Sequence, residues 1–224
     1  MLFNVKAFVD TLSAIGAKST FNPWYEFDQE HDINARAPAI RRSQLEAYLT
    51  ERSAKTRYLL IGEALSYRGG KFTGLPMMSE RIALGKSAID PKAVAKISFQ
   101  RTSKPELSPL GFTEPTATIV WGQLMQSGLN PATVCIWNIF PWHPFVASKG
   151  PLSNRTPDEA ELAHGLKITE TLIALLKPKK IITIGEKSFK TLLPSEPLVL
   201  KVRHPANGGA GQFRKQFMEI VKTD

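Results

Sequence analysis

YLLIGEALSYRGGKFTGLP, residues 58–76, contains in succession an apolar run, a carboxylate and a glycine-rich loop. The run Tyr58–Ile61 predicts a buried parallel strand. Glu63 follows it almost at once, and glycines at three positions of the loop permit close approach of the backbone to a ligand. Open α/β sheets bind ligands beyond the carboxyl ends of their strands. The stretch therefore predicts a functional site as well as a strand.

Further apolar runs and helical patterns alternate along the rest of the chain. The predicted strands are Tyr58–Ile61, Val134–Trp137, Lys180–Ile184 and Leu198–Val202. The predicted helices between and around them are Arg41–Arg52, Pro115–Ser127, Thr156–Leu176, Glu186–Leu193 and Gln212–Lys222. Such alternation indicates βαβ units, with a mostly parallel sheet and helices on both of its faces.

A chain of 224 residues is expected to form one domain, here spanning residues 1–224. Residues 1–40 are predicted to hold a helix, marked by apolar residues from Phe3 to Ile15, and then an extended segment. Trp24 in that segment could pack against the domain or help to wall a pocket. Residues 87–112 are predicted to be an insertion on the strand-end face, with a short helix at Pro91–Ile97.

The chain carries 29 lysine and arginine residues against 20 acidic ones, a formal net charge of +9. This excess favours a polyanionic partner such as nucleic acid, although a merely soluble basic protein is the alternative. The basic residues gather at Arg68–Lys71, Lys177–Lys180, Lys201–His204 and Arg214–Lys215. Three of these four groups lie near predicted strand ends or site loops.

No apolar run approaches the roughly 18–20 residues that span a bilayer. The N-terminus lacks the basic start and continuous apolar centre of a signal peptide. We therefore expect a cytoplasmic protein with no membrane partner. The one cysteine, Cys135, excludes an intrachain disulfide and any multi-cysteine zinc or iron–sulfur site. Its apolar neighbours predict a buried thiol rather than a nucleophile.

Polar side chains follow two more of the predicted strands. Asn138 ends the second strand, and its amide offers the donor and acceptor that suit a pyrimidine edge. An Asx turn or a helix cap is the structural alternative for this residue. His204 follows the fourth strand in a loop rich in glycine. Because His204 shares a predicted rim with Glu63 and Asn138, a catalytic role is favoured over a structural one.

At these residues the chain resembles the uracil-DNA glycosylase superfamily, most closely its iron–sulfur-containing family 4 branch. The resemblance rests on GEALSYRGGKFTGLPM, WNIFPWHP with SNRTPDEAEL, and RHPANGG, which occur in the order of that branch and span Leu59–Phe217. It implies a three-layer α/β/α sandwich around a four-stranded parallel sheet. It also implies a DNA repair enzyme that flips uracil out of single- or double-stranded DNA and hydrolyses its bond to deoxyribose, leaving an abasic site.

The resemblance assigns roles to individual residues. Glu63 takes the acidic catalytic role, beneath the sugar or beside the attacking water, and His204 faces O2 of the base. Asn138 reads the uracil edge, and the backbone around Gly62 and Ala64 completes the pocket. Stacking on the base falls to Met77 or to Phe72. DNA contacts are assigned to Arg68, Arg155, Arg203, Asn207, Gly208, Gln212, Phe213 and Arg214, with Gln212 or Phe213 as the wedge that enters the DNA.

The chain also departs from the branch. The four cysteines that bind the cluster in that branch are absent here, so we expect no iron–sulfur cluster and no other cofactor. Separately, we expect the protein to be a monomer. Leu65 replaces the motif proline, and Ala64 stands where other branches place a catalytic Asp or Asn. Tyr67 is displaced by one position from the residue that blocks the thymine methyl in other branches.

These departures keep alternatives open. One is excision of another deaminated base, such as hypoxanthine or xanthine. A second is binding of uracil or damaged DNA with little turnover. A third is a doubly wound protein that binds a nucleotide, although the chain contains neither GxGxxG nor a GxxxxGK[ST] phosphate loop.

Overall fold

The computed structural model describes residues 4–13 and 18–222. Its helices are α1 Val5–Thr11, α2 Ala37–Arg52, α3 Gly70–Thr73, α4 Glu80–Ala83, α5 Pro91–Val94, α6 Pro115–Gln126, α7 Glu159–Leu176, α8 Glu186–Leu192 and α9 Ala210–Lys222. Its strands are β1 Thr20–Phe21, β2 Tyr58–Ala64, β3 Val134–Phe140, β4 His143–Pro144, β5 Lys180–Ile184 and β6 Leu200–Val202. The predicted first helix is confirmed as α1, while Phe3 and Ile15 lie outside the described residues.

The central sheet has four parallel strands in the order β3-β2-β5-β6. Helices flank it in a three-layer α/β/α arrangement, which confirms the predicted fold. β2 extends beyond the predicted Ile61 because β3 continues beside it as far as the pair Ala64 and Phe140. β6 begins at Leu200 rather than Leu198, whose side chain is 91% exposed.

α7 starts at a capping box and packs closely on β3. Asp158 accepts a hydrogen bond from the Glu161 N–H at 2.8 Å, so the helix begins after Asp158 and not at the predicted Thr156. A Cβ at Gly165 would collide with the backbone of Ile139 and Phe140. The absence of a side chain at position 165 thus lets α7 press on the strand that carries Asn138.

In the N-terminal segment, Trp24 packs against the domain and does not wall a pocket. β1 pairs with β4 in a small antiparallel sheet that the sequence did not predict. The fully buried indole of Trp24 stacks on Trp137, with ring centres 6.4 Å apart, and its Nε1 donates to the carbonyl of Gly74 at 3.0 Å. This hydrogen bond ties the segment to the glycine-rich loop.

Two buried cations hold the same segment in place. Arg41 donates to Asp32 at 2.6 Å, and both side chains are fully buried. Lys71 Nζ lies 2.8 Å from a carboxylate oxygen of Asp28. Lys71 therefore belongs to the interior of the protein, although its sequence neighbours formed one of the predicted basic clusters.

The predicted insertion does not lie wholly on the strand-end face. Its helix α5 sits near the amino end of β3, because Arg52 donates to the carbonyls of both Val94 and Val134. The helix also ends at Val94 rather than Ile97. Only the later part returns to the carboxyl edge, where Glu80 accepts hydrogen bonds from the backbone of Thr102 and Ser103. The insertion thus runs along the sheet from one end to the other.

Candidate active site

Three predicted functional residues lie at the carboxyl edge of the sheet. Gly62 on β2 is the direct neighbour of Asn138 on β3, and Glu63 follows Gly62. His204 comes two residues after the end of β6. β5 separates β2 from β6, so at a strand spacing of about 4.8 Å the strand that carries Glu63 and the strand that precedes His204 are about 10 Å apart, and β3 with Asn138 lies one strand further away. The separation between the Glu63 and His204 strands is on the scale of a nucleotide.

Asn138 is buried with both of its amide atoms unpaired. The residue is 1% exposed, and neither Nδ2 nor Oδ1 has a hydrogen-bond partner within the described structure. The side chain therefore forms neither the Asx turn nor the helix cap of the structural alternative. A Cβ at Gly62 would collide with Asn138 Oδ1 and with Met77 Cε, so a larger residue here would displace the side chains of Asn138 and Met77. A buried donor and acceptor without partners is what a ligand-reading amide requires before its ligand arrives.

Glu63 is half-buried near the end of β2. Among residues 4–13 and 18–222, no side chain or backbone group forms a hydrogen bond or ion pair with its carboxylate. The group is thus free to accept a hydrogen bond from water or to lie beside a cationic sugar.

His204 is oriented by its own loop. Its Nδ1 accepts a hydrogen bond from the backbone N–H of Ala206 at 3.1 Å, which leaves the proton of the neutral ring on Nε2. Burial, together with the charge of Arg203, lowers the pKa of the imidazole below its usual range. His204 is therefore a neutral Nε2–H donor. It lines a cleft of about 170 Å³ with Gly185, Glu186, Lys201, Val202, Arg203, Gln212 and Gln216.

The two candidates for base stacking differ in their surroundings. Met77 holds a left-handed backbone, with φ of 48°, and its side chain reaches over Gly62. Its carbonyl accepts a hydrogen bond from Trp121 Nε1 at 2.9 Å, which helps to hold this strained conformation. Phe72 is fully buried, with its ring stacked on Phe112 at 4.9 Å. The arrangement favours Met77 as the residue that covers a base.

His143 braces the loop after β2. Its ring nitrogens lie 3.0 Å from the carbonyls of Leu65 and Pro151. Burial lowers the pKa of this histidine to about 4, so the neutral ring donates to only one of the two carbonyls at a time. Asn154 supports the same loop by accepting a hydrogen bond from the N–H of Tyr67 at 3.0 Å. This packing stands where the resembling branch has a cysteine-containing segment.

Most of the predicted DNA-contacting residues are exposed near this edge. They are Arg68, Arg203, Asn207, Gly208, Gln212 and Arg214. Arg155 differs, because its guanidinium forms a bidentate pair with Glu161 at 2.6 Å and also donates to backbone carbonyls. The geometry favours a structural role for Arg155 over a phosphate contact.

Phe213, predicted as one of two wedge residues, is 1% exposed and packs against Phe217 inside α9. A side chain held in this way cannot enter DNA without the helix moving. Gln212 lies in the first turn of the same helix and is exposed. Of the two wedge candidates, the structure leaves Gln212 accessible.

Residues 112–114 pack against the glycine-rich loop, a contact that the sequence did not predict. The ring of Phe112 lies between Phe72, on which it stacks, and Tyr67, which meets it edge-on at 6.2 Å. Glu114 Oε2 is buried without a partner, and burial raises the pKa of its carboxyl to about 7. In the sequence, a glutamate directly before a helix indicates an exposed charge at the helix N-terminus. Nothing local predicts its burial.

Three further observations concern the described residues. Cys135 is buried, as predicted, and burial raises the pKa of its thiol to about 12, which disfavours a thiolate nucleophile. Within residues 4–13 and 18–222, no group of three or more His, Cys, Asp or Glu side chains could hold a metal ion. No helix in the same ranges is long and apolar enough to cross a membrane.

Comparison with known proteins yields a family and a fold. Residues 51–223 match the model of the uracil DNA glycosylase superfamily. The crystal structure of wild-type SMUG2 from Pedobacter heparinus is similar, with a TM-score of 0.64 over 100% of this chain and 98% of that chain. At 12% sequence identity, this similarity shows a shared fold only. No curated protein matches the chain.

Proposed function

The chain belongs to the uracil DNA glycosylase superfamily and is thus a DNA glycosylase that acts on damaged bases, and we propose that the base it removes is uracil. In this proposal the protein is a monofunctional hydrolase that works as a cytoplasmic monomer without a cofactor. Its substrate is uracil in single- or double-stranded DNA, and its product is an abasic site.

The observation that carries the proposal is the unpaired amide of Asn138. Uracil presents an N3–H donor beside the O4 acceptor, which an amide can bind with its Oδ1 and Nδ2. Leaving two polar atoms buried and unpaired costs about 1–3 kcal/mol each, so their presence favours a ligand that pairs with both. Met77, which now covers Gly62 beside this amide, would shift to lie against the base.

The proposed reaction breaks the bond between C1′ of the sugar and N1 of uracil. As the bond lengthens, negative charge develops on the base, and the Nε2–H of His204 would donate to O2 and stabilise it. Positive charge develops on the sugar, where the unpaired carboxylate of Glu63 would stabilise it or orient the attacking water. The attacking water adds to C1′ and loses a proton to Glu63 or to solvent, and the uracil anion takes up a proton from solvent after release.

We expect purified protein to release uracil from a uracil-containing oligonucleotide, detected as strand cleavage after alkali, with no added metal. Glu63→Gln and His204→Ala should each slow release at least about tenfold, because each removes one charge-stabilising or proton-accepting group. Glu170→Gln is the matched control, since Glu170 is an exposed carboxylate of α7 and does not line the cleft that contains His204.

Three results would count against the proposal. Wild-type protein that binds the oligonucleotide without cleaving it would favour the binding role. Release of another base but not uracil would show that the other base is the substrate. Full activity in Glu63→Gln or His204→Ala would remove that residue from the mechanism.

A further inference from the structure

His204 stands on a turn that begins where the chain leaves the edge of the sheet. β6 ends at Val202, whose carbonyl accepts a hydrogen bond from the N–H of Gly185 at 3.0 Å. Since successive residues of a strand direct their backbone groups to opposite sides, the N–H of Arg203 points away from β5. No further strand lies on that side of β6 within the described structure. The turn that carries His204 therefore needs a support from outside the sheet.

Gln216 on α9 provides this support. Its Oε1 accepts a hydrogen bond from the N–H of Arg203 at 2.7 Å, although the two residues are 13 positions apart in the sequence. Arg203 directly precedes His204, so this hydrogen bond fixes the backbone that enters the histidine. Gln216 and His204 also line the same cleft of about 170 Å³. The glutamine therefore lies beside the predicted catalytic histidine.

The core of the protein holds α9, and with it Gln216, in place. Phe213 and Phe217 precede and follow Gln216 on this helix, each is 1% exposed, and their rings stack at 5.9 Å. In addition, the N–H of Phe213 donates to the carbonyl of Gly209 at 2.9 Å, which joins the helix to the loop after His204. Gln216 thus ties the turn to a helix whose apolar side is buried.

Two hydrogen bonds then determine where the imidazole can lie. The bond from the Ala206 N–H to Nδ1 sets the direction of the ring, while the bond from Arg203 to Gln216 sets the position of the backbone that carries it. The Nε2–H of His204 can stabilise charge on a base oxygen only from about 2.7–3.1 Å, and a displacement of about 1 Å can cost about a hundredfold in rate. Small movements of this turn should therefore slow the reaction.

We propose that Gln216 is a positioning residue for base excision: by accepting the hydrogen bond from Arg203, it holds the Nε2–H of His204 within reach of O2 of the flipped base. This inference rests on the proposed function, because it assumes that His204 stabilises charge on the departing base. Gln216 acts through His204 and makes no contact with the base in this role. It lies outside the motifs that carry the resemblance, so the sequence did not indicate it.

Gln216→Met tests this role, because methionine has a similar length, suits a helix and lacks the acceptor. The measured quantity is the single-turnover rate of base release from oligonucleotides that carry either deoxyuridine or 5-fluorodeoxyuridine. Uracil release should slow about tenfold, and 5-fluorouracil release by only about threefold. The reason is that fluorine stabilises the departing anion and reduces its dependence on the His204 donor.

Gln126→Met is the matched control and should change neither rate. Gln126 is an exposed glutamine at the end of α6, which leads to the amino end of β3. A loss of folded protein would lower both rates by the same factor, so the unequal effect distinguishes a misplaced histidine from a weakened fold. Gln216→Ala removes the same acceptor with the strongest helix former and should show the same inequality, which provides the test if the methionine variant does not fold.

A double variant shows whether Gln216 acts through the histidine. His204→Ala combined with Gln216→Met should release uracil within about twofold of His204→Ala alone, because the glutamine has nothing to position once the imidazole is gone. A further tenfold loss in the double variant, equal slowing of both bases, or unchanged rates in Gln216→Met would overturn the role of Gln216 and leave uracil excision intact. Wild-type protein that releases no uracil, or full activity in His204→Ala, would instead refute the proposed reaction, and the role of Gln216 with it.

Discussion

At the residue scale, Asn138 is distinguished because it buries a donor and an acceptor together without a partner; among the described residues, single buried atoms without one also occur at Trp137 Nε1 and Thr169 Oγ1. Buried charges elsewhere are paired, as Arg41 is with Asp32 and Lys71 with Asp28. Asn138 and Glu114, by contrast, each hold a buried polar atom without a partner in the described structure. Unpaired groups of this kind lower stability, and proteins retain such costs mainly where function needs them.

Asn138→Leu tests whether the unpaired amide lowers stability while it supports base release. Leucine has a similar volume and removes two unpaired buried polar atoms, so the free energy of unfolding should stay equal or rise by about 1 kcal/mol. Base release should fall at least about tenfold, because two hydrogen bonds to the base are lost. Denaturant unfolding and the excision assay measure the two effects.

Asn130→Leu is the matched control for this experiment. Asn130 accepts a hydrogen bond from the N–H of Ala132 at 3.0 Å and so has a structural role. Its loss should cost about 1 kcal/mol of stability and leave base release unchanged. An Asn138→Leu protein less stable than Asn130→Leu would show that Asn138 supports the fold instead of the ligand.

At the element scale, the contact between α7 and β3 sets the position of Asn138. The close approach depends on Gly165, whose missing Cβ leaves room for the backbone of Ile139 and Phe140. These are backbone atoms of a central-sheet strand, so a substitution at position 165 cannot be absorbed by rotating a side chain. It would have to move the helix or the strand.

Gly165→Ala should therefore destabilise the protein by about 1–3 kcal/mol and reduce base release as β3 shifts. Gly122→Ala makes the same chemical change inside α6, where a Cβ would meet nothing within 4 Å. That variant should be more stable than wild type by about 0.5–1 kcal/mol, because alanine favours a helix over glycine. Thermal or denaturant unfolding of the pair measures the contrast, and equal stabilities would refute the packing account.

At the scale of the whole molecule, the net charge is +9, and exposed basic residues lie at both ends of the sheet. Exposed arginines at positions 68, 203 and 214 lie near the carboxyl edge, where the candidate site is. Lys177 and Lys179 are exposed beside the start of β5, at the opposite edge. If DNA binds across the carboxyl edge, only the first group contacts phosphates.

DNA affinity should fall as the salt concentration rises, and the slope of log K against log salt concentration should depend on the number of phosphate contacts. Arg203→Ala should reduce the magnitude of that slope by about 1, because one fewer counterion is released on binding. Lys177→Ala removes the same charge from the opposite edge and should leave the slope unchanged. Fluorescence anisotropy with a labelled duplex at several salt concentrations provides the measurement, and equal slopes for both variants would place the DNA elsewhere.

The alternating apolar runs were enough to predict the parallel sheet and its flanking helices, because strand and helix periodicity are local properties of the chain. Glu63, Asn138 and His204 could be singled out for the same reason, since each directly follows or ends a run that reads as a strand. The superfamily motifs lie at those same strand ends, and the family match over residues 51–223 confirms the resemblance.

Only the tertiary structure decided which side chains are buried, paired or free. Phe213 and Lys71 lie in the interior, and Arg155 pairs with Glu161. Glu114 lies against a loop more than forty residues earlier in the chain. Burial and pairing depend on contacts between segments distant in sequence, and no local pattern encodes them. The sequence by itself thus determined the fold and the strand-end residues, while the folded chain determined which polar groups remain available to a base.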